Sequence, residues 1–157
     1  MNIRPATPGD IPDIDRLLYQ VAAVHAAGRP DLFVMGEKKY TDDELLAIIE
    51  NDSDTRPIFV YEDGGRVWGY AFCILEDHAD AHVLTPIRTL YIDDLCVDEN
   101  CRAQHIGSAL YQFVLDFARQ SGCYNVTLNV WTCNASAMAF YEKMDLKPQK
   151  IGMETIL

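Results

Sequence analysis

The spacing of apolar residues in the first third of the chain predicts two helices. Between residues 11 and 24, apolar side chains recur every three or four positions, which is the period of an amphipathic helix. These positions are Ile11, Ile14, Leu17, Leu18, Val21 and Val24. Thr7 is expected to cap this helix and Gly28 to end it. A second helix is predicted after Thr41, because Glu44 three residues later completes a capping-box pattern.

Apolar runs in the middle of the chain predict strands. Residues 58–62 and 67–75 flank Asp63-Gly64-Gly65, a composition that favours a hairpin turn. A further apolar run covers residues 89–97, after a polar stretch at 76–86 that we expect to form a loop.

The rest of the pattern predicts an α/β (α+β) domain. A strong helical period begins at Ile106 and ends near Gly122. The other predicted elements are strands at 2–5, 126–130 and 148–156 and a helix at 134–143. The resulting order, β-α-α-β-β-β-α-β-α-β, contains no repeat or linker and predicts a single domain over residues 1–157 with a mixed sheet.

The composition is that of a globular domain. The chain has 157 residues, of which 49% are hydrophobic, enough to bury a core of ordinary size. No apolar stretch approaches the roughly 20 residues of a membrane helix, and the N-terminal residues lack the apolar core of a signal peptide. We therefore expect a cytoplasmic protein that does not bind membranes.

Charge narrows the class of partner. The chain carries 13 Lys and Arg residues against 24 Asp and Glu residues, a formal net charge of −11. Such a field repels nucleic acid and attracts cations, so no nucleic-acid partner is expected. Two interpretations stay open at this point. Either the acidity only keeps the protein soluble, or it draws a cationic amine into an acidic cleft.

The five cysteines favour reduced thiols. They are odd in number and none forms a CxxC pair, so neither a disulfide nor a metal site is expected. They are Cys73, Cys96, Cys101, Cys123 and Cys133.

The turn at residues 102–108 carries the first candidate chemistry. It joins a predicted strand to the start of a helix, where unpaired backbone N–H groups and the helix dipole can bind a phosphate or pyrophosphate. The alternative is an ordinary turn in which Gly107 serves packing. A Walker loop is excluded because its Gly-Lys-Ser/Thr ending is missing, and a dinucleotide fingerprint would need three glycines.

This turn resembles the cofactor motif of the GNAT superfamily of N-acetyltransferases, usually written Arg/Gln-x-x-Gly-x-Gly/Ala before a helix. Arg102 matches the first position and Gly107 the last, whereas His105 stands where the family usually has glycine. A non-glycine residue can donate its N–H there if its φ is negative. The resemblance implies that acetyl-CoA contacts Leu95, Cys96, Val97, Arg102, Ala103, Gln104, His105, Ile106, Gly107 and Ser108.

A second match lies further along the chain. Asn134-x-x-Ala137-x-x-Phe140-Tyr141 looks like the later motif of the same family, and Asp145 takes the place of the glycine that usually follows. Aspartate tolerates the left-handed cap that this position implies better than most residues. Asn134 is also suited to be a plain helix N-cap, and both roles are compatible with a contact to the cofactor.

The resemblance implies a fold and a reaction. The fold is a central, mixed, mostly antiparallel sheet of six to seven strands with about four helices. The reaction is direct transfer of acetyl from acetyl-CoA to a primary amine of a small molecule or protein, in a ternary complex. Tyr141 matches the residue that commonly protonates the coenzyme A sulfur, and the oxyanion donor is expected around residues 95–97, where the sheet splays open.

Asp93 and Asp94 are the candidates for the base that accepts the amine proton. Neighbouring strand residues point to opposite faces, so only one of the two carboxylates is expected to reach the cleft. Resemblance to the carboxylate-bearing strand of polyamine acetyltransferases favours Asp93. The alternative is that both residues only orient the substrate or bind neighbouring backbone.

Other questions stay open on the sequence alone. By resemblance, His25 and the loop at residues 29–33 belong to the acceptor-side wall, but the acceptor itself is not determined. Because His105 departs from the motif, a non-catalytic acyl-CoA-binding regulatory module is the alternative function. The sequence also leaves open whether the chain forms a homodimer.

Overall fold

Five strands form one sheet in the computed structural model, which describes residues 2–80, 82–102 and 104–157. They follow one another in the sheet as in the sequence: β1 (Asn2–Pro5), β2 (Ile58–Asp63), β3 (Arg66–Asp77), β4 (Arg88–Val97) and β5 (Asn125–Leu128). The first four strands are antiparallel, and β5 runs parallel to β4. The mixed, mostly antiparallel sheet is confirmed, but the described residues contain five strands and not the expected six or seven.

Four helices accompany the sheet, as predicted. They are α1 (Ile11–Gly28), α2 (Asp42–Asn51), α3 (Ile106–Gln120) and α4 (Ala135–Lys143), with two short 3-10 turns at Pro8–Asp10 and Glu99–Cys101. The capping box before α2 is present, since the Thr41 hydroxyl accepts the Glu44 N–H at 3.2 Å and the Glu44 carboxylate accepts the Thr41 N–H at 2.8 Å. None of these helices, in the ranges that the structure covers, is long and apolar enough to cross a bilayer.

Helices cover both faces of the sheet. Tyr70 and Phe72 of β3 pack on one face with the buried side chains of α1 and α2. Ala71 and Cys73, at the alternate positions of the same strand, pack on the other face with α3 and the apolar side of α4. The alternation along β3 therefore assigns each neighbouring strand residue to one of two cores.

The hairpin between β2 and β3 has the backbone that its sequence predicts. Gly64 and Gly65 have φ values of 63° and 76°. A two-residue turn with both central residues in the left-handed region matches the twist of the flanking strands, and glycine adopts this conformation without steric cost.

The end of α4 also follows the sequence interpretation. Asp145 is left-handed with φ 65°, and its N–H donates to Glu142 O at 3.0 Å while the Leu146 N–H donates to Tyr141 O at 3.1 Å. These two bonds form a Schellman motif, which satisfies the last carbonyl groups of the helix that carries Tyr141.

The prediction of a last strand at residues 148–156 is wrong. Residues 147–157 form neither helix nor strand, make no backbone hydrogen bond to any described residue, and are exposed throughout. Ile151 and Met153 alternate as in a strand but are 78% and 89% exposed. Alternation alone does not make a strand, because its N–H and C=O groups also need a neighbouring edge to pair with.

Candidate active site

The sheet opens between β4 and β5. Their pairing runs from Thr89 opposite Asn125 to Ile92 opposite Leu128 and then ends. Residues 94–97 of β4 continue to pair with β3, and none of residues 93–97 pairs with another described strand on the β5 side. We call residues 93–97 the open edge of β4. Backbone groups on this side make no ladder bond within the described residues and can bind a ligand, and the gap beside them is called the cleft below.

A β-bulge at Asp93 changes the face to which the two candidate carboxylates point. Phe72 of β3 pairs with Asp94, but the next residue, Cys73, pairs with Ile92, so Asp93 is an extra residue on β4. Ile92 packs in the α3 core, whereas both aspartates contact side chains of the α1 and α2 face. Asp93 and Asp94 therefore do not point to opposite faces as expected, because the bulge interrupts the strand alternation.

Asp93 is held by groups of its own chain. Its carboxylate accepts a hydrogen bond of 2.5 Å from the Tyr40 hydroxyl and forms an ion pair of 2.8 Å with the Lys39 ammonium. Lys39 also donates to the Asp93 carbonyl oxygen at 3.0 Å. Burial and the neighbouring Asp93 carboxylate raise the pKa of Tyr40, so its hydroxyl keeps the proton that it donates.

Asp94 lies in less polar surroundings. The Tyr70 hydroxyl donates to its carboxylate at 2.8 Å. Burial raises the pKa of Asp94 to about 6, against the opposing effects of the Tyr70 hydrogen bond and the Lys39 charge. A carboxyl group with this pKa is ionised at neutral pH and can take up a proton more readily than an ordinary aspartate.

Tyr141 approaches the same region from α4. Burial and then the charge of Asp94 raise the pKa of its phenol. Within the described residues its hydroxyl makes no hydrogen bond, and its ring packs against Phe140 with centroids 5.2 Å apart. Tyr141 is therefore a protonated donor without a hydrogen-bond partner among the described residues, close enough to Asp94 for the two groups to influence each other.

Cys96 turns away from the cleft. Its side chain is buried against α1, where the thiol donates to Leu17 O at 3.6 Å, and burial raises its pKa to about 12. Of the predicted cofactor contacts on β4, Leu95 and Val97 pack toward α3. All three residues can serve a ligand in the cleft through their backbone groups on the open edge.

The turn predicted to bind phosphate leads into the first residues of α3. The N–H groups of Ile106, Gly107 and Ser108 have no partner among the described residues, and the first bond of the helix is Ala109 N–H to His105 O at 3.0 Å. Arg102 is exposed and makes no ion pair in the part of the chain that the structure covers. These groups suit an anionic ligand at the helix N-terminus.

The structure clarifies the roles of His105 and Gly107 in this turn. His105 is left-handed, with φ 61°, so the negative φ required for it is not present. Gly107 has a packing role, because a Cβ there would lie 3.3 Å from Phe140 Cε2 and 3.5 Å from Val97 Cγ2. Gln104 is exposed beside them, and Ala103, also predicted to contact the cofactor, lies outside the described residues.

Asn134 is the N-cap of α4. Its side-chain oxygen accepts the Ala137 N–H at 3.2 Å, and its own N–H donates to Trp131 O at 2.9 Å. The cap fixes the start of the helix that positions Tyr141. A further contact of Asn134 with the cofactor stays a prediction.

The side of the cleft nearest α1 and the loop before α2 contains residues that the sequence analysis missed. Lys39, Tyr40, Tyr70 and Trp131 lie next to the predicted ones, yet no spacing or motif marks them. Trp131, an exposed aromatic residue between a strand and a helix cap, was the one available signal. No group of three His, Cys, Asp or Glu side chains in residues 2–80, 82–102 and 104–157 is placed to bind a metal ion.

Comparisons with known proteins identify the family. The sequence profile of the acetyltransferase (GNAT) family matches residues 22–146. Human N-acetyltransferase 8 is 29% identical over 130 residues, 75% of this chain and 54% of that protein, so this chain spans about half the length of that relative. Glucosamine 6-phosphate N-acetyltransferase of Arabidopsis thaliana is 24% identical over 116 residues, 74% of this chain and 67% of that protein.

A solved structure extends the similarity to the whole chain. A mutant of the BH1408 protein from Bacillus halodurans has a TM-score of 0.94 and 28% sequence identity, covering 100% of this chain and 99% of that one. The exposed segment after α4 is thus included in the matched length.

Proposed function

This chain belongs to the acetyltransferase (GNAT) family, and from that premise we propose that it transfers acetyl from acetyl-CoA directly to a primary amine. The observation that supports this most is the meeting of Asp94, Tyr141 and the open edge of β4 in one cleft. A proton acceptor, a proton donor and unpaired backbone donors are the three things that amine acetylation by a thioester requires.

The α3 N-terminus is proposed to bind the pyrophosphate of coenzyme A. The free N–H groups of residues 106–108 and the exposed guanidinium of Arg102 supply donors and positive charge there. The acyl end then extends along the open edge of β4, where backbone N–H groups in residues 95–97 are proposed to stabilise the oxyanion.

Asp94 is the proposed base, directly or through a water molecule. It carries no ion pair in the described part of the chain, and its pKa of about 6 suits proton uptake near neutral pH. Asp93 is proposed to position Lys39 and Tyr40, because its carboxylate forms an ion pair with the first and accepts a hydrogen bond from the second. As the carbon–nitrogen bond forms, Asp94 accepts the amine proton. As the carbon–sulfur bond breaks, Tyr141 donates a proton to the sulfur.

The relatives support nitrogen as the acceptor atom. Human N-acetyltransferase 8 and the glucosamine 6-phosphate N-acetyltransferase of Arabidopsis thaliana are both named for transfer to nitrogen.

Replacing Tyr141 tests the proposed transfer. Wild-type protein incubated with acetyl-CoA and a panel of primary amines should release free thiol and form acetylated amine, detected by a thiol reagent and by mass spectrometry. Tyr141→Phe keeps the ring and removes the donor, so kcat should fall by roughly 10²–10⁴, while calorimetry shows acetyl-CoA affinity nearly unchanged.

Tyr124→Phe is the matched control, because Tyr124 is 77% exposed and precedes β5 at the end away from Tyr141. Its kcat should equal that of the wild type. Acetyl-CoA binding without transfer to any amine would support the acyl-CoA-binding alternative and reject the proposal.

A further inference from the structure

Three aromatic side chains form a cluster at the acceptor side of the cleft. The Phe33 ring lies 5.1 Å from the His25 ring and 5.1 Å from the Trp131 ring, nearly perpendicular to the latter at 84°. We call these residues the aromatic cluster. Trp131 remains 44% exposed, so a large apolar surface stays in contact with water. Such a surface, fixed beside a reaction cleft, is typical of a ligand-binding wall.

The cluster joins two parts of the chain that are distant in sequence. His25 is near the end of α1, and Trp131 is in the segment between β5 and α4. These parts are closely packed, since a Cβ at Gly28 would lie 2.7 Å from the Cys133 sulfur. The cluster is therefore held from both sides of the cleft.

The aromatic cluster and the aspartate pair have one neighbour in common, the Lys39 ammonium. The Lys39 ammonium, which pairs with Asp93, is also close enough to His25 to reinforce the effect of burial in lowering the pKa of that imidazole. His25 is consequently neutral at pH 7 and adds no charge to this wall.

Lys39 and Arg29, the two basic side chains near the cluster that the structure shows in ion pairs, already bind carboxylates of the chain. Lys39 is paired with Asp93, so the chain itself supplies the cation that the sequence analysis expected from the acceptor. Arg29 binds Asp31 through two hydrogen bonds of 2.9 and 2.7 Å and binds Glu154 at 2.5 Å. Asp31 and Glu154 are half-exposed rim carboxylates that share this arginine. A charged acceptor would have to displace a partner, whereas an apolar acceptor would not.

We infer that the acceptor is a primary amine with an uncharged alkyl or aryl group, which packs against Phe33 and Trp131 while the amine points to Asp94. This inference rests on the proposed acetyl transfer and specifies its substrate class. Burial of each methylene group against the aromatic cluster should raise kcat/KM by about two- to fourfold, as expected for partial to full removal of a methylene from water.

Three amines of equal length test the inference directly. Hexylamine, 1,6-diaminohexane and 6-aminohexanoate present the same reacting amine and differ only at the far end. The kcat/KM for hexylamine should exceed that for each of the other two by at least about tenfold, and should rise from butylamine through pentylamine to hexylamine. A higher kcat/KM for the diamine or for the amino acid would overturn the inference.

The Trp131→Ala variant tests whether Trp131 forms the surface that binds the alkyl chain of the amine. This variant should reduce the preference for hexylamine over butylamine toward unity, because the longer chain loses the wall that it contacts. Tyr124→Ala removes another exposed aromatic residue, away from the cluster, and should leave the preference unchanged. An equal loss for all amines in Trp131→Ala would mean that Trp131 serves only structure, and the inference would fail.

A binding measurement separates this inference from the proposed reaction. The chain has two tryptophans, so Trp68→Phe leaves Trp131 as the only indole reporter. With coenzyme A present, hexylamine and phenethylamine should change the Trp131 fluorescence at lower concentration than 1,6-diaminohexane or 6-aminohexanoate. If they do while no amine is acetylated, the proposed transfer fails and the apolar binding wall stands. If the diamine or the amino acid binds more tightly, or if none changes the fluorescence, the wall is rejected whether or not acetylation occurs.

Discussion

At the scale of single residues, Asp93 and Asp94 show how position separates two identical side chains. Asp93 is neutralised by Lys39 and bound by Tyr40, whereas Asp94 has one hydroxyl partner, Tyr70, and a pKa of about 6. The first carboxylate is suited to hold neighbouring groups in place. The second is suited to exchange a proton near neutral pH.

Asp94→Asn should make the folded protein more stable at pH 7.5 and less active. The folded chain keeps a proton on Asp94 up to about pH 6, whereas the unfolded chain loses it near the ordinary value of 3.8. Compared with low pH, where this carboxyl is protonated in both states, its ionisation therefore lowers stability, and the loss begins near pH 4 and is complete above about pH 6. Removing the charge should raise the free energy of unfolding by up to about 3 kcal/mol at pH 7.5, and by little at pH 4.

Urea unfolding at the two pH values measures this difference. Asp93→Asn is the control, and it should lower stability at pH 7.5, because it weakens the ion pair to Lys39. If Asp94→Asn is the less stable variant at pH 7.5, then Asp94 is a structural ion in a polar setting and not the proposed base.

At the scale of elements, two local irregularities shape the cleft. The bulge in β4 places both aspartates on one face, and the left-handed His105 starts α3. Glycine would suit position 105 on conformational grounds, while glycine is present at 107, where Phe140 leaves little room for a Cβ. This chain therefore has glycine at position 107, where packing requires it, and histidine at position 105, where glycine would adopt the left-handed conformation more easily.

Substitutions at these two positions should have opposite effects. His105→Gly relieves a left-handed conformation and should raise the free energy of unfolding by roughly 0.5–1 kcal/mol, which is about 1–4 °C in Tm for a domain of this size. Gly107→Ala should lower stability by about 1 kcal/mol or more, because Phe140 has to move. Because the Gly107 N–H is one of the proposed pyrophosphate donors, acetyl-CoA affinity should fall in Gly107→Ala, whose backbone is crowded by Phe140, and not in His105→Gly.

Thermal unfolding and calorimetry of both variants give the comparison. His105→Ala, which keeps a Cβ in the left-handed region, should not gain the stability of His105→Gly. If His105→Gly weakens acetyl-CoA binding, the imidazole itself contacts the cofactor and strain is not the main property of this position.

At the scale of the whole molecule, the segment after α4 stands apart from the rest. Residues 147–157 are exposed and lack backbone hydrogen bonds to the described residues, and they join the remainder of the fold through two exposed ion pairs, Lys147 with Asp145 and Glu154 with Arg29. Exposed ion pairs contribute little to stability. The free energy of folding therefore resides in the sheet and the four helices.

Removing residues 148–157 should change Tm by less than about 2 °C, because few contacts are lost. Leu146→Ala, two positions before the cut, is the contrasting variant. Leu146 packs against the α3 core, so this substitution should cost about 1–2 kcal/mol, below the range for a fully buried leucine. A large fall in Tm on truncation, together with a smaller size in gel filtration, would show that the segment pairs with a second copy of the chain.

The sequence by itself determined the features that depend on near neighbours. The helical and strand periods located four helices and five strands, and the capping box at Thr41, the glycine pair at 64–65 and the left-handed Asp145 follow from local backbone chemistry. The motif around Arg102 and Gly107 indicated the family, because it requires particular residues at short spacing.

Only the tertiary structure decided the features that depend on a distant partner. The register of β3 against β4 creates the bulge at Asp93, and the loop before α2 brings Lys39 to that carboxylate. The packing of α1 against the segment before α4 assembles the aromatic cluster, and the lack of a paired edge leaves residues 148–156 without a strand. Register, pairing and burial each involve residues far apart in the chain, so no local pattern specifies them.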